Sequence, residues 1–251
     1  MGFQKSSGAR FTSILTGLPT PPHPSLRPHL PPHFALTSPH FSLTPSSSPN
    51  HTSLHSNPQY KIMAYLFTMI PIVPGILLIS DPFLKDPNFK RTVILLCEHR
   101  QEGSVGFVLN KSLNINLDDI ITEAAGIGLQ VYDGGPVQKD TLHFIHRRPD
   151  LIQGGIAVFD NVYWGGDFEQ VLELLRNREL KQNDIRFFVG YSGWSEDQLK
   201  DELEQKSWIT RQADSGLVFH TNKDLVWQDA LKELGGEYRQ MVNYPIDPQL
   251  N

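Results

Sequence analysis

A cysteine and a histidine lie two positions apart in Cys97-Glu98-His99, and together these residue types can perform nucleophilic chemistry. Side chains two residues apart on a β-strand share a face, so the thiol and the imidazole could meet. A nearby imidazolium stabilises the thiolate, which is the reactive form of cysteine. The alternative is a small core residue followed by a histidine at the strand end. We favour this second interpretation, because Cys97 follows a run of aliphatic residues and a thiol buried there is inert.

Two further histidines, His143 and His146, raise the question of a metal site. They are three residues apart on a predicted strand, so their side chains point to opposite faces and cannot chelate one ion together. We therefore predict no metal site, and the sequence indicates no cofactor.

The segment Gly190-Tyr191-Ser192-Gly193-Trp194 superficially resembles the nucleophile elbow of hydrolases. That motif requires a glycine two residues on either side of the serine, and Trp194 occupies the second of these positions. We predict instead a strand-to-helix turn, in which glycine adopts a positive φ and Trp194 packs on the core.

Two glycine clusters, Gly134-Gly135-Pro136 and Gly165-Gly166-Asp167, could cradle an anion with their backbone N–H groups. Neither continues into the Gly-Lys-Ser/Thr of a P-loop or the spaced glycines of a dinucleotide fingerprint. We interpret both as tight turns.

Runs of apolar and β-branched residues predict the strands that must position these groups. The predicted strands are 75–79, 92–97, 103–109, 141–146, 156–163 and 185–190. The short connection over residues 99–102 predicts a hairpin between the second and third strands.

Helical spacing predicts four helices. The first includes Leu117 and Ala125 and ends at Gly126, and the second is capped by Asp167. Ser195 and Gln198 form a capping box for the third. The last spans residues 227–234 and ends at Gly235-Gly236. Acidic residues over 196–204 are interpreted as a solvated helix face. Strands and helices do not alternate strictly, so we predict an α+β fold rather than a doubly wound parallel sheet.

The composition divides the chain near Met63. Residues 1–62 hold 11 of the 19 prolines, 6 of the 10 histidines and none of the acidic residues. Such a segment has little to bury, so we predict a disordered leader over 1–62 and one compact domain over 63–251. The leader could be a targeting peptide, a genuine disordered tail or sequence before a wrongly assigned start, with Met63 as the initiator. We favour the last interpretation.

The charge balance also differs between the two parts. All 27 acidic residues but only 18 of the 22 basic residues lie after position 62, which gives that part a formal charge of −9. Such a surface repels phosphate backbones, so we expect no direct nucleic-acid binding. The single cysteine excludes an intrachain disulfide, and no apolar stretch approaches the ~20 residues needed to span a bilayer. We expect a cytoplasmic protein with no membrane association.

Several separate blocks of sequence resemble the bacterial YqgE/AlgH family, in the same order along the chain. The blocks are Leu77 to Pro82, Phe89 to His99, Gly103 to Asn110, Gly134 to Val137 with Asp140 and His146, Gly190 to Trp194 with Gln198-Leu199 and Trp208, and Trp227 with Ala230-Leu231 and Leu234-Gly235. The resemblance covers nearly all of residues 74–238. It implies an α+β domain with a mixed, barrel-like sheet flanked by helices, and an association with transcriptional regulation. Members also occur in plant plastids, which keeps a transit peptide as the alternative for residues 1–62.

The resemblance brings no catalytic residues with it. Its blocks place polar residues at strand ends and turns, where binding sites tend to lie. The candidate pocket residues are Arg91, His99, Asn110, Asp140, Arg147 and Ser192.

Three functions compete at this point. The first, which we favour, is a non-catalytic regulatory or binding protein that acts through an unknown protein or small-molecule partner. The second is an enzyme of hydrolase or transferase type with a pocket near His99. The third is a direct DNA-binding protein, which the charge and the lack of a helix-turn-helix pattern disfavour.

Overall fold

The computed structural model describes residues 71–245, so the predicted leader over residues 1–62 lies outside the described residues. Within the described range, ten strands belong to one sheet, accompanied by six α-helices and two 3₁₀ turns. The strands are β1 (Ile76–Ser80), β2 (Val93–Arg100), β3 (Gly103–Val108), β4 (Ser112–Asn116), β5 (Gln130–Asp133), β6 (Val137–His146), β7 (Ile156–Phe159), β8 (Val162–Trp164), β9 (Ile185–Ser195) and β10 (Trp208–Gln212). The helices are α1 (Leu117–Ile120), α2 (Phe168–Arg176), α3 (Gln198–Glu204), α4 (Ser215–Val218), α5 (Val226–Leu234) and α6 (Tyr238–Met241), and the 3₁₀ turns are Thr122–Ala124 and Gln182–Asp184.

The sheet is mixed and open. Its main path runs β10-β1-β2-β3-β9-β6-β8-β7, with β5 added beside β9 and β4 beside β5. Every one of these pairs is antiparallel except β5 with β9, which run parallel. The predicted α+β class and the β2–β3 hairpin are confirmed, and the described strands do not close into a complete barrel.

The central strands are buried on both faces, as their continuous apolar runs predict. In β1, Leu77 and Ile79 face a cluster completed by α5, whereas Ile76 and Leu78 face a second cluster that includes Trp208 and Leu199 of α3. A third cluster lies beneath α1 and α2, against the first half of β9. Helices therefore cover both faces of the sheet. None of the helices in residues 71–245 is long and apolar enough to cross a bilayer.

Strand β9 joins the two halves of the sheet. Its first half pairs with β5 through residues 187–189, and on the same edge its second half pairs with β3 through residues 192–195. Between them lies Gly190, with a φ of +68°. A Cβ added to Gly190 would lie 2.7 Å from the carbonyl oxygen of Val137. Only glycine therefore fits at the point where the partner of β9 changes from β5 to β3. The prediction of a strand-to-helix turn at 190–194 is therefore wrong, because these residues continue β9.

Two other local predictions need correction. The predicted helix from Leu117 ends at Ile120, because Ile121 is extended and the chain then forms a 3₁₀ turn. The β-branched run Ile120-Ile121-Thr122 has a low helix propensity, which favours this break. The predicted single strand 156–163 is a hairpin of β7 and β8, since Asp160 takes a φ of +40° and turns the chain.

The remaining helices follow their sequence signals. Asp167 caps α2 by accepting a hydrogen bond from the backbone N–H of Gln170, and Gly235 ends α5 with a φ of +71°. The exception is α3, for which the predicted capping box of Ser195 and Gln198 is wrong, because Asp197 is the cap residue and Gln198 is the first residue of the helix. Gln198 Oε1 still accepts a hydrogen bond from the backbone N–H of Ser195.

One carboxylate on α3, that of Glu202, is partly buried against two tryptophans. Glu202 Oε2 accepts hydrogen bonds from Trp194 Nε1 at 2.9 Å and from Trp208 Nε1 at 2.7 Å, and its Oε1 accepts one from Gln198. It therefore connects α3 to β9 and β10. The expectation that all acidic residues over 196–204 are a solvated face is wrong for Glu202, because two indole N–H groups need a buried acceptor.

The two histidines of β6 lie in different aromatic surroundings. His143 packs against Phe107, Trp164 and Tyr191, with ring centroids 5.3–6.0 Å away. Burial lowers the pKa of His143 to about 4, and it also lowers the pKa of the fully buried His146. Both rings are therefore neutral at pH 7.

We expect Gly190→Ala to lower the free energy of unfolding by at least about 2 kcal/mol, because alanine is strained at this φ and its Cβ meets a carbonyl oxygen. Denaturant unfolding of both proteins measures the difference. The matched control is Gly128→Ala, where a Cβ meets no atom within 4 Å. Equal stability of the two variants would contradict the constraint at Gly190.

Glu202→Ala should cost about 2–4 kcal/mol of stability, because it leaves two buried indole donors without their charged acceptor. Urea unfolding followed by tryptophan fluorescence reports both the stability and the altered indole environment. Glu204→Ala, on the exposed side of the same helix, should change neither quantity. A Glu202 variant as stable as the Glu204 variant would show that the carboxylate is not needed.

Stability should fall as the pH drops from about 6.5 towards 4, because the unfolded His143 takes up a proton that the folded ring resists. The neutral His143 contributes to the free energy of unfolding above pH 6.5. Once the pH is below the pKa of the folded state, about 3 kcal/mol of that free energy is lost. Unfolding free energies measured across this range test the sign. His143→Phe keeps an aromatic ring and should flatten the slope; an unchanged slope would contradict the assignment.

Candidate functional site

The geometry does not assemble the thiol–imidazole pair. Cys97 is 1% exposed, its Sγ lies 3.7 Å from the carbonyl oxygen of Leu95, and burial raises the pKa of the thiol. The register between β2 and β3 shifts between Leu96 and Glu98, which makes Cys97 a bulged residue. His99 is exposed, and its Nδ1 forms a hydrogen bond with the hydroxyl of Ser104. Cys97 is thus a core residue, as favoured from the sequence.

The hydroxyl of Ser192 is also committed to the fold. Ser192 is fully buried, and its Oγ donates to the carbonyl oxygen of Gly134 at 3.1 Å. Its neighbours Tyr191 and Gly193 face a surface groove on the other side of β9. The serine of the incomplete nucleophile-elbow motif therefore has a structural role, because its hydrogen bond holds β9 against the turn at Gly134.

In the first glycine cluster both glycine N–H donors are already used, and in the second Gly165 donates to the carbonyl oxygen of Phe144. The N–H of Gly134 donates to the carbonyl oxygen of Val189, and the N–H of Gly135 donates to the Asp133 carboxylate. Residues 71–245 also contain no group of three or more histidine, cysteine or acidic side chains placed to hold a metal ion.

Two of the six candidate pocket residues lie together. The Asn110 side-chain amide donates to the carbonyl oxygen of Arg91 at 2.8 Å and accepts from the N–H of Val93 at 3.0 Å. The Arg91 guanidinium covers the Trp227 ring at 4.8 Å and donates to the carbonyl oxygen of Tyr244. This pair braces the start of β2 against α5 and the segment after α6.

The other four are spread over the sheet. Ser192 is buried beneath the Gly134 turn, His99 is near the β2–β3 turn, and Asp140 is exposed on β6. Arg147 forms an ion pair with Asp184 at 3.1 Å and covers the Phe219 ring at 5.3 Å. The structure therefore does not gather the six side chains around one space.

A groove of about 530 Å³ runs beside His99. Its walls include Glu98, Ser104, Tyr191 and Trp194, contributed by β2, β3 and β9. Ser104 is 5% exposed and its Oγ lies 2.8 Å from His99 Nδ1. Ser104 in the groove wall thus contacts His99, which does not itself line the groove, since the two residues face each other across the β2–β3 ladder.

A smaller cavity of about 250 Å³ lies between the start of β9 and the segment after α4. Its walls are mostly polar, and the polar side chains are those of Gln130, Tyr132, Gln182, Asn183, Arg186, His220 and Thr221. Arg147 lies at its margin, because the Phe219 ring that it covers is part of the wall.

Arg186 is the one wall residue with a buried charge. It is 6% exposed, and its two terminal nitrogens donate to the carbonyl oxygens of Leu109 and His220, both at 2.9 Å. The guanidinium lies over the Tyr132 ring at 4.5 Å. Burial lowers the pKa of Arg186, although an arginine stays protonated in a protein.

Sequence reasoning missed both Arg186 and Ser104. A signal for Arg186 was present, because an arginine between Ile185 and Phe187 interrupts a strand of otherwise apolar residues. Charged residues are almost never fully buried unless they are paired, so such an interruption marks a special position. Ser104 gave no signal, since its partner His99 is brought opposite it only by the hairpin register.

Comparison with known proteins gives a consistent set of relatives. Residues 77–239 match the family described as AlgH-like. A UPF0301 protein of Cytophaga hutchinsonii is 42% identical over 181 residues, which are 72% of this chain and 100% of the relative. A UPF0301 protein of Chlorobium limicola is 44% identical over 178 residues, 71% of this chain and 95% of the relative.

Two solved structures share the fold. Protein DIP2367 from Corynebacterium diphtheriae superposes with a TM-score of 0.59 at 20% identity, covering 72% of this chain and 97% of its own. The AlgH protein from Pseudomonas aeruginosa gives a TM-score of 0.57 at 23% identity, with 70% and 97% covered. With the family match spanning most of the sheet and the helices around it, the resemblance seen in the sequence is confirmed, and this chain belongs to the AlgH-like family.

Proposed function

We propose that this protein is a non-catalytic binding protein with a regulatory role, acting through a small-molecule or protein partner. The observation that carries the proposal is the polar cavity around Arg186, which offers a charged, partly enclosed space with no cysteine or serine among the described residues of its wall. The thiol of Cys97 and the hydroxyl of Ser192 support it, because both are buried and held in structural contacts.

The regulatory role is proposed to connect to transcription, as the family resemblance implies. The formal charge of −9 after position 62 opposes direct contact with DNA, so the effect would pass through a partner. The proposed compartment is the cytoplasm, with the plastid as the alternative if residues 1–62 are a transit peptide. We also propose that the leader ends at residue 62 and that the compact domain spans residues 63–251.

The competing candidate is an enzyme of hydrolase or transferase type at the groove beside His99. The serine–histidine contact with Ser104 favours it, because a histidine within hydrogen-bond reach can activate a serine nucleophile. Against it stands the 5% exposure of Ser104, which leaves the hydroxyl little access to a substrate.

Activity-based labelling separates the two candidates. We expect a fluorophosphonate probe to label neither Ser104 nor Ser192 and iodoacetamide to leave Cys97 unmodified in the folded protein, because these groups are buried. Mass spectrometry of the full chain measures both. Unfolded protein, in which Cys97 reacts, is the control for reagent quality. Stoichiometric labelling of Ser104 that disappears in His99→Ala would overturn the binding-protein proposal in favour of the enzyme.

A further inference from the structure

Arg186 carries a charge that no carboxylate balances within residues 71–245. Three arginines in this range show the contrast: Arg147 and Arg148 approach Asp184, and Arg211 approaches Asp214 and Glu233. Arg91 also lacks an ion pair among the described residues, but it is less buried than Arg186. Arg186 has only backbone carbonyls and an aromatic ring. A buried charge without a counter-charge is costly, so such an arrangement indicates a site completed by something else.

The guanidinium retains donors for a ligand. Of its five N–H groups, two are used by the carbonyl oxygens of Leu109 and His220. These two bonds and the Tyr132 ring fix the plane of the guanidinium, so its remaining donors are held in place before a ligand arrives. A preorganised guanidinium fork matches the two oxygens of a carboxylate.

The rest of the wall limits the charge and the size of the ligand. Gln130, Gln182, Asn183 and Thr221 are neutral groups that can bind hydroxyl or carbonyl oxygens, and Arg186 is the only arginine or lysine among the described residues of the wall. His220 also lines the wall, and its Nε2 lies 3.4 Å from the Asp229 carboxylate. One cation balances one negative charge, which disfavours di- and triphosphates. The volume of about 250 Å³ equals that of about eight water molecules, below the usual range for cofactor-sized ligands.

We infer that the cavity around Arg186 is a binding site for a compact organic monocarboxylate, with hydroxyl or carbonyl substituents that contact the amide and hydroxyl groups of the wall. The carboxylate supplies the counter-charge of the buried guanidinium. This inference rests on the proposed binding function and names the class of its ligand.

Titration of the full chain with lactate and pyruvate, at constant ionic strength, tests the site directly. Binding is followed by thermal shift and by NMR signals of Tyr132, Phe219 and His220, which line the cavity. Lactamide, which has the same shape without the charge, and inorganic phosphate are the comparison probes. We expect saturable shifts at these residues with the carboxylates and none with lactamide.

Two variants test the role of the charge. Asn183→Asp places a negative charge in the wall while keeping the size of the side chain and all contacts of Arg186, so it should weaken carboxylate binding at least about tenfold. Asn161→Asp, in the exposed β7–β8 turn, makes the same change away from the cavity and should leave binding unaltered. Arg186→Lys keeps the charge without the fork and should also weaken binding.

Several results would overturn the inference. These are no binding of either lactate or pyruvate, binding of lactamide as tight as that of lactate, binding of phosphate alone, or carboxylate binding that is unchanged in Asn183→Asp. Failure here differs from failure of the proposed function, which would appear as covalent labelling of Ser104 rather than as a missing carboxylate site.

Discussion

Three glycines allow two backbone segments to meet where β9 changes neighbours, and the sheet depends on this contact. Side chains on Gly134 or Gly190 would collide with backbone carbonyl oxygens of the facing segment, and one on Gly135 would collide with Ser192. The contact is then closed by hydrogen bonds, because Gly134 donates to Val189 and accepts from the N–H of Val108. Strands β3 and β5 thus lie along the same edge of β9, and the two halves of the molecule share one sheet.

Two charged side chains, the partly buried Glu202 and the buried Arg186, are held in different ways on this scaffold. Glu202 is satisfied internally, because two tryptophan N–H groups and one glutamine amide surround its carboxylate. Arg186 has backbone carbonyls on one side and a cavity on the other. The first arrangement is satisfied by protein donors and stabilises the fold, whereas the second places a guanidinium in the wall of a cavity. That difference distinguishes a structural carboxylate from the guanidinium that we propose to bind a ligand.

The groups that could act as nucleophiles illustrate how residue type alone misleads. Cys97 and Ser192 have reactive side chains, yet one lies in the apolar core and the other fastens a turn. Ser104 carries the same hydroxyl without any motif around it, and it is the serine that contacts a histidine. Access and neighbours decide what such groups can do, and both follow from strand register.

The sequence by itself determined the family, the α+β class and most of the local elements. Continuous aliphatic runs such as 92–97 leave a strand no exposed face, and caps such as Asp167 and Gly235 define helix ends within a few residues. These signals are local and therefore readable. Only the tertiary structure decided that residues 190–194 continue β9, since that outcome depends on two strands distant in sequence, β3 and β6. It also decided the site: the six candidate residues were adjacent to motifs, whereas Arg186, Leu109 and His220 meet through pairings of segments up to 77 residues apart. The sequence shows which residues are present but not which of them lie close together in the fold. The arginine within the apolar strand could therefore be recognised from the sequence, whereas the cavity beside it could not.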